Sequence, residues 1–424
     1  MKNPLIRMAA LLGLGVSLAA HAQLRVEVSG VGANQFPIAI AAFGDESLAP
    51  AQISSIIKAD LARSGYFKVI DTGSVITETS SVNLDEWKSR GANALVVGSV
   101  QRLADGRIDV RYKLIDTLKG APLSALSFAN APQRTRVTSH QIADDIFEKL
   151  LGTRGAFATR IAYVSKGGPN QYRLEVADAD GEENRIALNS NEPIISPSWS
   201  PDGTRIVYVS FENKKAVVYM QNLVTSQRTV IANRKGTNSA PSWSPDGRKL
   251  AMALTNGGPL AQIYLADADG GNLRRLTNTS GIDTEPKFSA DGQTIYFTSD
   301  RSGGPQIYRM SVNGGEAQRV TFTGDYNISP RVSPDGKSIA YASRRGGRFQ
   351  LYSLDLASNQ EQRLTEGSGD ESPSYAPNGK YIMYAPDGGR RGSLAVVSVD
   401  GRVKYSLSVR AGEIREPTWG PFMK

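Results

Sequence analysis

The chain is 424 residues long, 21% charged and 40% hydrophobic, with 49 Lys plus Arg against 41 Asp plus Glu and no cysteine. That length exceeds a single domain of roughly 100–200 residues, and without cysteine neither a disulfide nor a thiolate metal site can form. The excess basic charge is dispersed in doublets such as Lys214-Lys215 and Arg344-Arg345 rather than a stripe, which argues against nucleic-acid binding.

Lys2 and Arg7 flank the start of an apolar run over 8–20, and Ala20-His21-Ala22 supplies a small-x-small cleavage site before Gln23. This is the layout of a secretory signal peptide over 1–22. The run is shorter than the about 20 apolar residues of a spanning helix, and no later stretch is longer, so a mature chain with no membrane span is expected. A disulfide-free exported chain fits a bacterial periplasm. Gln23, Leu24, Arg25, Val26, Glu27 and Val28 alternate like a strand, and small residues follow to Asn34. This segment, 23–34, reads either as an edge strand with a loop or as a mobile arm that adds a strand to a partner's sheet.

From 23 to 155 strand and helix signals alternate, as in a compact α/β domain. A buried-type strand is expected over 37–43, and a helix opening at Pro50 carries Ile53, Ile56, Ile57 and Leu61 up to Gly65. A short helix over 84–90 and a strand over 94–100 follow. Asp105-Gly106 marks a hairpin leading into strict alternation at Ile108, Val110, Tyr112 and Leu114. Thr138-Ser-His-Gln141 reads as a capping box for a helix that bears Ile142, Ile146, Phe147 and Leu150 and ends at Gly152. His140 is then expected near the start of that helix and exposed.

The remainder, 156–424, is a repeat. Pro-Ser-Trp-Ser-Pro-Asp-Gly at 197–203 returns at 241–247, then in looser form at 286–292, 330–336 and 373–379, and partly at 417–421. The first prolines are 44, 45, 44, 43 and 44 residues apart. In each unit a large apolar anchor (Trp199, Trp243, Phe288, Val332, Tyr375, Trp419) precedes a Pro-Asp-Gly type of turn. Three more short strands follow, and four strands per roughly 40–45 residues is the signature of a propeller blade. The unit at Pro417 has only its first strand, whereas 159–165, 172–177 and 184–188 supply a second, third and fourth strand before the first repeat. The expected fold is therefore an N-terminal α/β domain followed by an all-β, six-bladed propeller, closed by strands from both ends of the repeat region.

Little in the chain reads as catalytic. His140 is the one histidine beyond the signal segment, which leaves no imidazole for both a triad and a His-rich metal site, and no nucleophile elbow occurs. Asp202, Asp246, Asp291 and Asp335 sit in the repeated turn, where a structural role is expected. Asp178-Ala-Asp180 and Asp267-Ala-Asp269 read as hairpin turns, since the full calcium-loop pattern is missing. No cofactor and no metal is expected.

What remains is surface. The loops before each Pro-x-aromatic, at 191–196, 235–240, 280–285, 324–329, 367–372 and 412–416, fall on one rim of the channel. They carry Glu192, Asp283, Asp325, Asp370, Glu371, Glu413 and Glu416, so an acidic rim is expected, with Tyr326 as an aromatic handle. Such loops on a rigid scaffold suit binding.

Taken together, the signal peptide, the α/β domain and six repeats that end in Glu-Pro-Thr-Trp-Gly-Pro at 416–421, with no hydrolase domain behind them, resemble the TolB family of the Tol–Pal system over the whole chain. The resemblance implies a non-enzymatic periplasmic scaffold serving outer-membrane integrity and invagination at division. It implies that the channel mouth binds the lipoprotein Pal, a contact colicin-like bacteriocins mimic, and that the arm, Gln23 to Val28 foremost, binds the inner-membrane protein TolA. Asn238, Ala240, Thr284 and Glu285 match the family's Pal-binding pattern, and Thr237 stands where a family example has histidine. Tyr326, Asn327, Asp370, Glu371, Glu413 and Arg415 complete the implied site on the neighbouring loops. The competing reading is an exported propeller enzyme or enzyme-regulatory propeller, lactonase- or peptidase-associated.

Overall fold

A computed structural model of the chain describes residues 35–389, 392–408 and 412–423. The expected signal peptide and the arm from Gln23 to Asn34 lie outside the described residues. The first sheet is built from β1 (Phe36–Ala42), β2 (Phe67–Val75), β3 (Ala94–Arg102), β4 (Ile108–Asp116) and β5 (Pro122–Asn130), in the order β2-β1-β3-β4-β5. β1 runs parallel to both its neighbours, and β3, β4 and β5 form an antiparallel meander. Helices α1 (Ile53–Arg63) and α3 (Thr135–Leu151) bury Ile53, Ile57, Leu61, Ile142, Ile146 and Phe147 against one face of this sheet. The short α2 (Leu84–Ser89) covers the other face with Trp87.

Two strands, β2 and β5, have no counterpart among the expected elements. β5 is almost wholly exposed, and β2 ends in polar residues and Gly73, so neither shows a buried alternation. α1 begins at Ile53 rather than Pro50, where Glu46 accepts from the Ser54 N–H at 2.5 Å and its hydroxyl at 2.9 Å and stands in for an N-cap. The expected capping box is not one. α3 starts three residues earlier, at Thr135, and the Thr138 and Ser139 hydroxyls donate back to the carbonyls of Arg134 and Thr135 at 3.1 and 2.9 Å. Gly152 does end the helix, in a left-handed conformation, with its N–H on the Glu148 carbonyl.

Six four-stranded antiparallel sheets make the propeller. Their innermost strands, for blades 1 to 6 in turn, are Ile194–Trp199, Asn238–Trp243, Asp283–Phe288, Tyr326–Val332, Glu371–Tyr375 and Glu413–Trp419. In blade 6 the inner strand Glu413–Trp419 pairs with Arg160–Gly168, which continues to Gln171–Asp178 and Arg185–Ser190, so the ring closes as the strand count requires. Each anchor wedges between blades: Trp199 packs on Ala162 and Val164 of blade 6, Trp243 on Val207 and Val209 of blade 1, and Phe288 on Ala251 and Ala253 of blade 2. The turn aspartates hold the backbone. Asp246 accepts from Ser244 Oγ at 2.6 Å and Arg248 N at 3.0 Å, and Asp335 does the same with Ser333 and Lys337.

The N-terminal sheet and its helices dock on the side of the ring that carries these turns. The Tyr381 hydroxyl donates to the Ser64 carbonyl at 2.8 Å, and Tyr66 meets Tyr381 edge to face. Gly65 has φ +77° and sits so close to Val403 that a Cβ would lie 2.6 Å from its methyl carbon. The Asp178–Gly181 turn of blade 6, a hairpin turn as expected, faces α1 and α3. There His140, expected to be exposed, is 1% exposed, with Nδ1 2.6 Å from Asp60. The earlier start of α3 puts His140 in its second turn, on the face that meets α1 and blade 6.

Candidate functional site

The opposite rim of the ring is the channel mouth. In all six blades the residue before the repeat proline is left-handed: φ is +55° at Ser196, +49° at Ala240, +53° at Glu285, +55° at Ser329, +56° at Ser372 and +49° at Glu416. Proline disfavours the right-handed helical region in the residue before it, and a non-glycine residue in this conformation stores roughly 1–3 kcal/mol. At the same point the pairing to the second strand slips in every blade. A bulge of this kind re-aims side chains. Here it forms a neck of six residues around a cavity of about 280 Å³ that Lys287, Arg331, Glu371 and Arg415 also line.

The neck is cross-linked between blades. The Glu285 carboxylate on blade 3 accepts from the N–H and hydroxyl of Ser329 on blade 4, at 2.8 and 2.6 Å, and from Thr298 Oγ1 at 2.8 Å. Glu416 on blade 6 likewise accepts from the N–H of Ser196 on blade 1. Lys287 and Arg331 occupy the same inward position on blades 3 and 4, two residues inside Glu285 and Ser329. Both touch the lumen, yet protein surrounds them. Burial, helped by the Arg331 charge and opposed by Glu285 and Glu416, brings the Lys287 ammonium down to about 7. Burial also lowers the Arg331 guanidinium and raises the Glu416 carboxyl.

The structure sorts the residues expected at the mouth. Thr237 and Arg415 are exposed, and Thr284, Glu285, Tyr326, Glu371 and Glu413 are half-buried. Asn238, Asn327, Asp370 and Ala240 are buried. Asn238 Nδ2 donates to the carbonyls of Ala216, Arg234 and Gly236 at 3.0–3.1 Å, which ties its loop shut. Asn327 Nδ2 donates to Gln306 Oε1 at 2.7 Å and to the Thr323 carbonyl at 2.9 Å, and Asp370 accepts from Gly367 N at 3.0 Å. These residues shape the loops that present the exposed ones.

The rim is not the acidic surface the loop composition implies. The turns between second and third strands end on the same side, and they bring cations. Asp283 is fully buried on Arg301 at 2.9 Å, Glu192 pairs with Lys214, and Glu413 pairs with Arg415 and lies 4.0 Å from Lys166. Blade 4 adds a feature that the loops alone do not show. Its second and third strands, Ser338–Arg345 and Arg348–Asp355, have 8 residues each where those of blade 3 have 6. The longer hairpin stands up beside Tyr326, whose ring meets Phe349 edge to face at 5.7 Å and lies under the Arg344 guanidinium at 4.7 Å. The run Arg344-Arg345-Gly-Gly-Arg348-Phe349 was the available signal.

A second cluster lies between the α/β unit and blade 6. Asp60, His140 and Asp180 come close enough to share a cation. Arg63 already pairs with Asp60 at 2.5 Å, and Arg136 with Asp178 at 3.2 Å and with Asp180. Three carboxylates thus face two guanidiniums and one imidazole, and the positive charge a metal would bring is supplied by side chains.

The comparisons with known proteins meet this geometry. A family model described as "TolB beta propeller domain" matches residues 147–423, and one described as "TolB amino-terminal domain" matches 24–123. The chain belongs to the TolB family. It is 55% identical to the Tol-Pal system protein TolB of Bordetella pertussis over 407 residues, 96% of this chain and 92% of that one. The TolB of Bordetella avium is 53% identical over 422 residues, 98% of this chain and 95% of that one. The crystal structure of TolB from Acinetobacter baumannii superposes with a TM-score of 0.86 at 37% identity, covering 94% of this chain and all of that one. TolB membership makes the chain a non-enzymatic component of the Tol–Pal system, which sets aside the enzyme reading. Among the described residues no helix is long and apolar enough to cross a membrane.

Proposed function

We propose that the protein is a periplasmic scaffold that joins the outer-membrane lipoprotein Pal, held at the channel mouth, to TolA, held by the arm over 23–34. Its mature chain starts after a signal peptide at 1–22, with an α/β domain to 155 and the propeller from 156. The observation that carries the reading is the six-residue neck with its cavity, on the side of the ring away from the α/β domain. Thr237, Thr284, Tyr326, Glu371, Glu413 and Arg415 are the contacting set, and Asn238, Ala240, Glu285, Asn327 and Asp370 hold them in place. A colicin-like bacteriocin that exploits the protein would use the same mouth. The arm leads into Gln35, whose side-chain Nε2 donates to the carbonyls of Gly65 and Phe67 at 3.2 and 3.0 Å, beside the contact of Gly65 with the propeller.

The test is calorimetric titration of purified Pal and of a TolA C-terminal domain. Pal is expected to bind at micromolar strength or tighter, and a Thr237→Arg, Thr284→Arg double variant to lose it while melting as the parent does. Deletion of 23–34 is expected to remove TolA binding alone. Failure of the parent protein to bind Pal would overturn the reading of the mouth, and TolA binding without the arm would overturn that of the arm.

A further inference from the structure

We infer that the channel neck contains an anion subsite, formed by Lys287 and Arg331, that receives an acidic side chain inserted by the protein capping the mouth. The inference rests on the proposed docking at that rim and names the chemistry inside it.

The two cations stand at equivalent positions on adjacent blades and line one cavity of about 280 Å³. Among the described residues, the Lys287 ammonium has no hydrogen bond and no ion pair within 4.0 Å. Arg331 donates from one nitrogen to the carbonyl of its neighbour Pro330 at 2.9 Å, and its guanidinium has no ion pair among the described residues. The acids beside them are differently placed. Glu285 already accepts three hydrogen bonds, and Glu416 accepts the Ser196 N–H. At the outer edge Arg415 is held by Glu413, 2.6 Å from its Nε. The lumen thus presents two cations with no ion pair within 4.0 Å among the described residues, while Glu285 and Glu416 attract them from a distance and accept hydrogen bonds from Ser329, Thr298 and Ser196.

A carboxylate is the group that fits. A guanidinium accepts it in a fork, and an ammonium adds a third donor. The space is too small for a folded element but admits one side chain. The repeat makes the departure visible: the residue after the repeat proline is Ser198, Ser242, Ser374 or Thr418 on four blades and Lys287 or Arg331 on the other two. Structural needs of the blade are met by the small hydroxyl residues, so the two cations answer a different requirement.

Binding would also take up protons. With its ammonium lowered to about 7 by burial and the Arg331 charge, against the pull of Glu285 and Glu416, Lys287 is partly neutral near neutral pH in the free protein. An arriving carboxylate charges it. The experiment is titration of Pal into the protein near pH 7 in two buffers of different ionisation enthalpy. The parent is expected to take up protons on binding. Lys287→Met with Arg331→Met is expected to weaken Pal by about 30-fold or more, the effect of stripping the partner from a buried charge, and to abolish the uptake. Lys287→Arg, which keeps the charge, should hold most of the affinity yet take up no proton. Parent-like affinity and uptake in the double variant would overturn the inference and leave docking at the mouth intact. If the parent does not bind Pal, malonate is the probe: thermal stabilisation by malonate over chloride that the double variant loses supports the subsite independently, and equal response in both proteins overturns it.

Discussion

The indole Nε1 of Trp419 donates to Thr159 Oγ1 at 2.8 Å across a sequence separation of 260. With Gly420 N on the Arg160 carbonyl at 2.7 Å and Trp419 packed on Tyr381 and Met383, this contact shuts the ring. Trp419→Ala should cost about 3–5 kcal/mol, and Trp419→Phe, which keeps the wedge and loses the bond, about 1 kcal/mol. Removal of 417–424 should open blade 6. Denaturant unfolding followed by tryptophan fluorescence and near-UV dichroism checks all three, and a truncated chain that melts like the parent would refute closure through this strand.

The cluster under α3 makes stability depend on pH. Burial pulls the His140 imidazole down, but the charge and hydrogen bond of Asp60 and the charge of Asp180 outweigh it and raise it above its usual range, against Arg136. A group raised on folding contributes stability that is complete below its unfolded value of about 6.5 and is lost as pH climbs through the folded value. Asp144, pushed by burial up to about 7, loses its contribution over a lower window, between roughly 4 and 7. Above pH 7 Lys287, lowered to about 7, contributes in the opposite sense, so His140 is isolated by comparing the parent with His140→Gln. The slope of melting temperature against pH there should be more negative in the parent than in His140→Gln; parallel slopes would exclude the imidazolium from the balance.

Asp144 joins the two parts of the chain through backbone. It accepts Phe157 N at 2.7 Å and Ala158 N at 3.2 Å, both in the short connection to the propeller. Asp144→Asn keeps one acceptor oxygen but turns its NH2 toward the other backbone N–H, and should cost about 1 kcal/mol. Asp144→Ala leaves two buried donors unpaired and should cost about 1–3 kcal/mol. Equal losses in the two variants would show that shape rather than hydrogen bonding matters there.

The neck predicts an unusual pattern of tolerance. Ala240 is buried with φ +49°. Ala240→Gly should change stability by less than about 1 kcal/mol, since glycine adopts this conformation freely. Ala240→Val should lose about 1–3 kcal/mol, because a β-branched residue resists it. Comparable losses from Gly and Val, measured by chemical denaturation, would contradict the left-handed neck.

Much of the propeller was legible because its signals are local. The anchor and the Pro-Asp-Gly turn lie within a dozen residues of each other and recur at a fixed spacing of 43–45 residues, and closure followed from counting strands. The α/β unit was legible where alternation is strict, as at Ile108 to Leu114, and illegible at β5, whose exposed edge carries no hydrophobic pattern. His140 was misplaced because three separate elements bury it. The rim was misjudged for the same reason: Asp283 looks like a surface acid until sheet pairing brings Arg301, 18 residues on, against it. Lys287 and Arg331 escaped notice because only the register of the inner strands shows that they point into the lumen.

The split blade has a consequence for how the molecule is made. Arg160–Gly168 and its two outer neighbours can form early, but their inner edge stays bare until Glu413–Trp419 arrives, after five blades have been laid down. Contacts of such long range come late and slowly in folding. A bare edge in the meantime will accept a matching strand from another molecule. Refolding at high concentration should therefore yield domain-swapped dimers, with the last strand of each copy seated in the ring of the other.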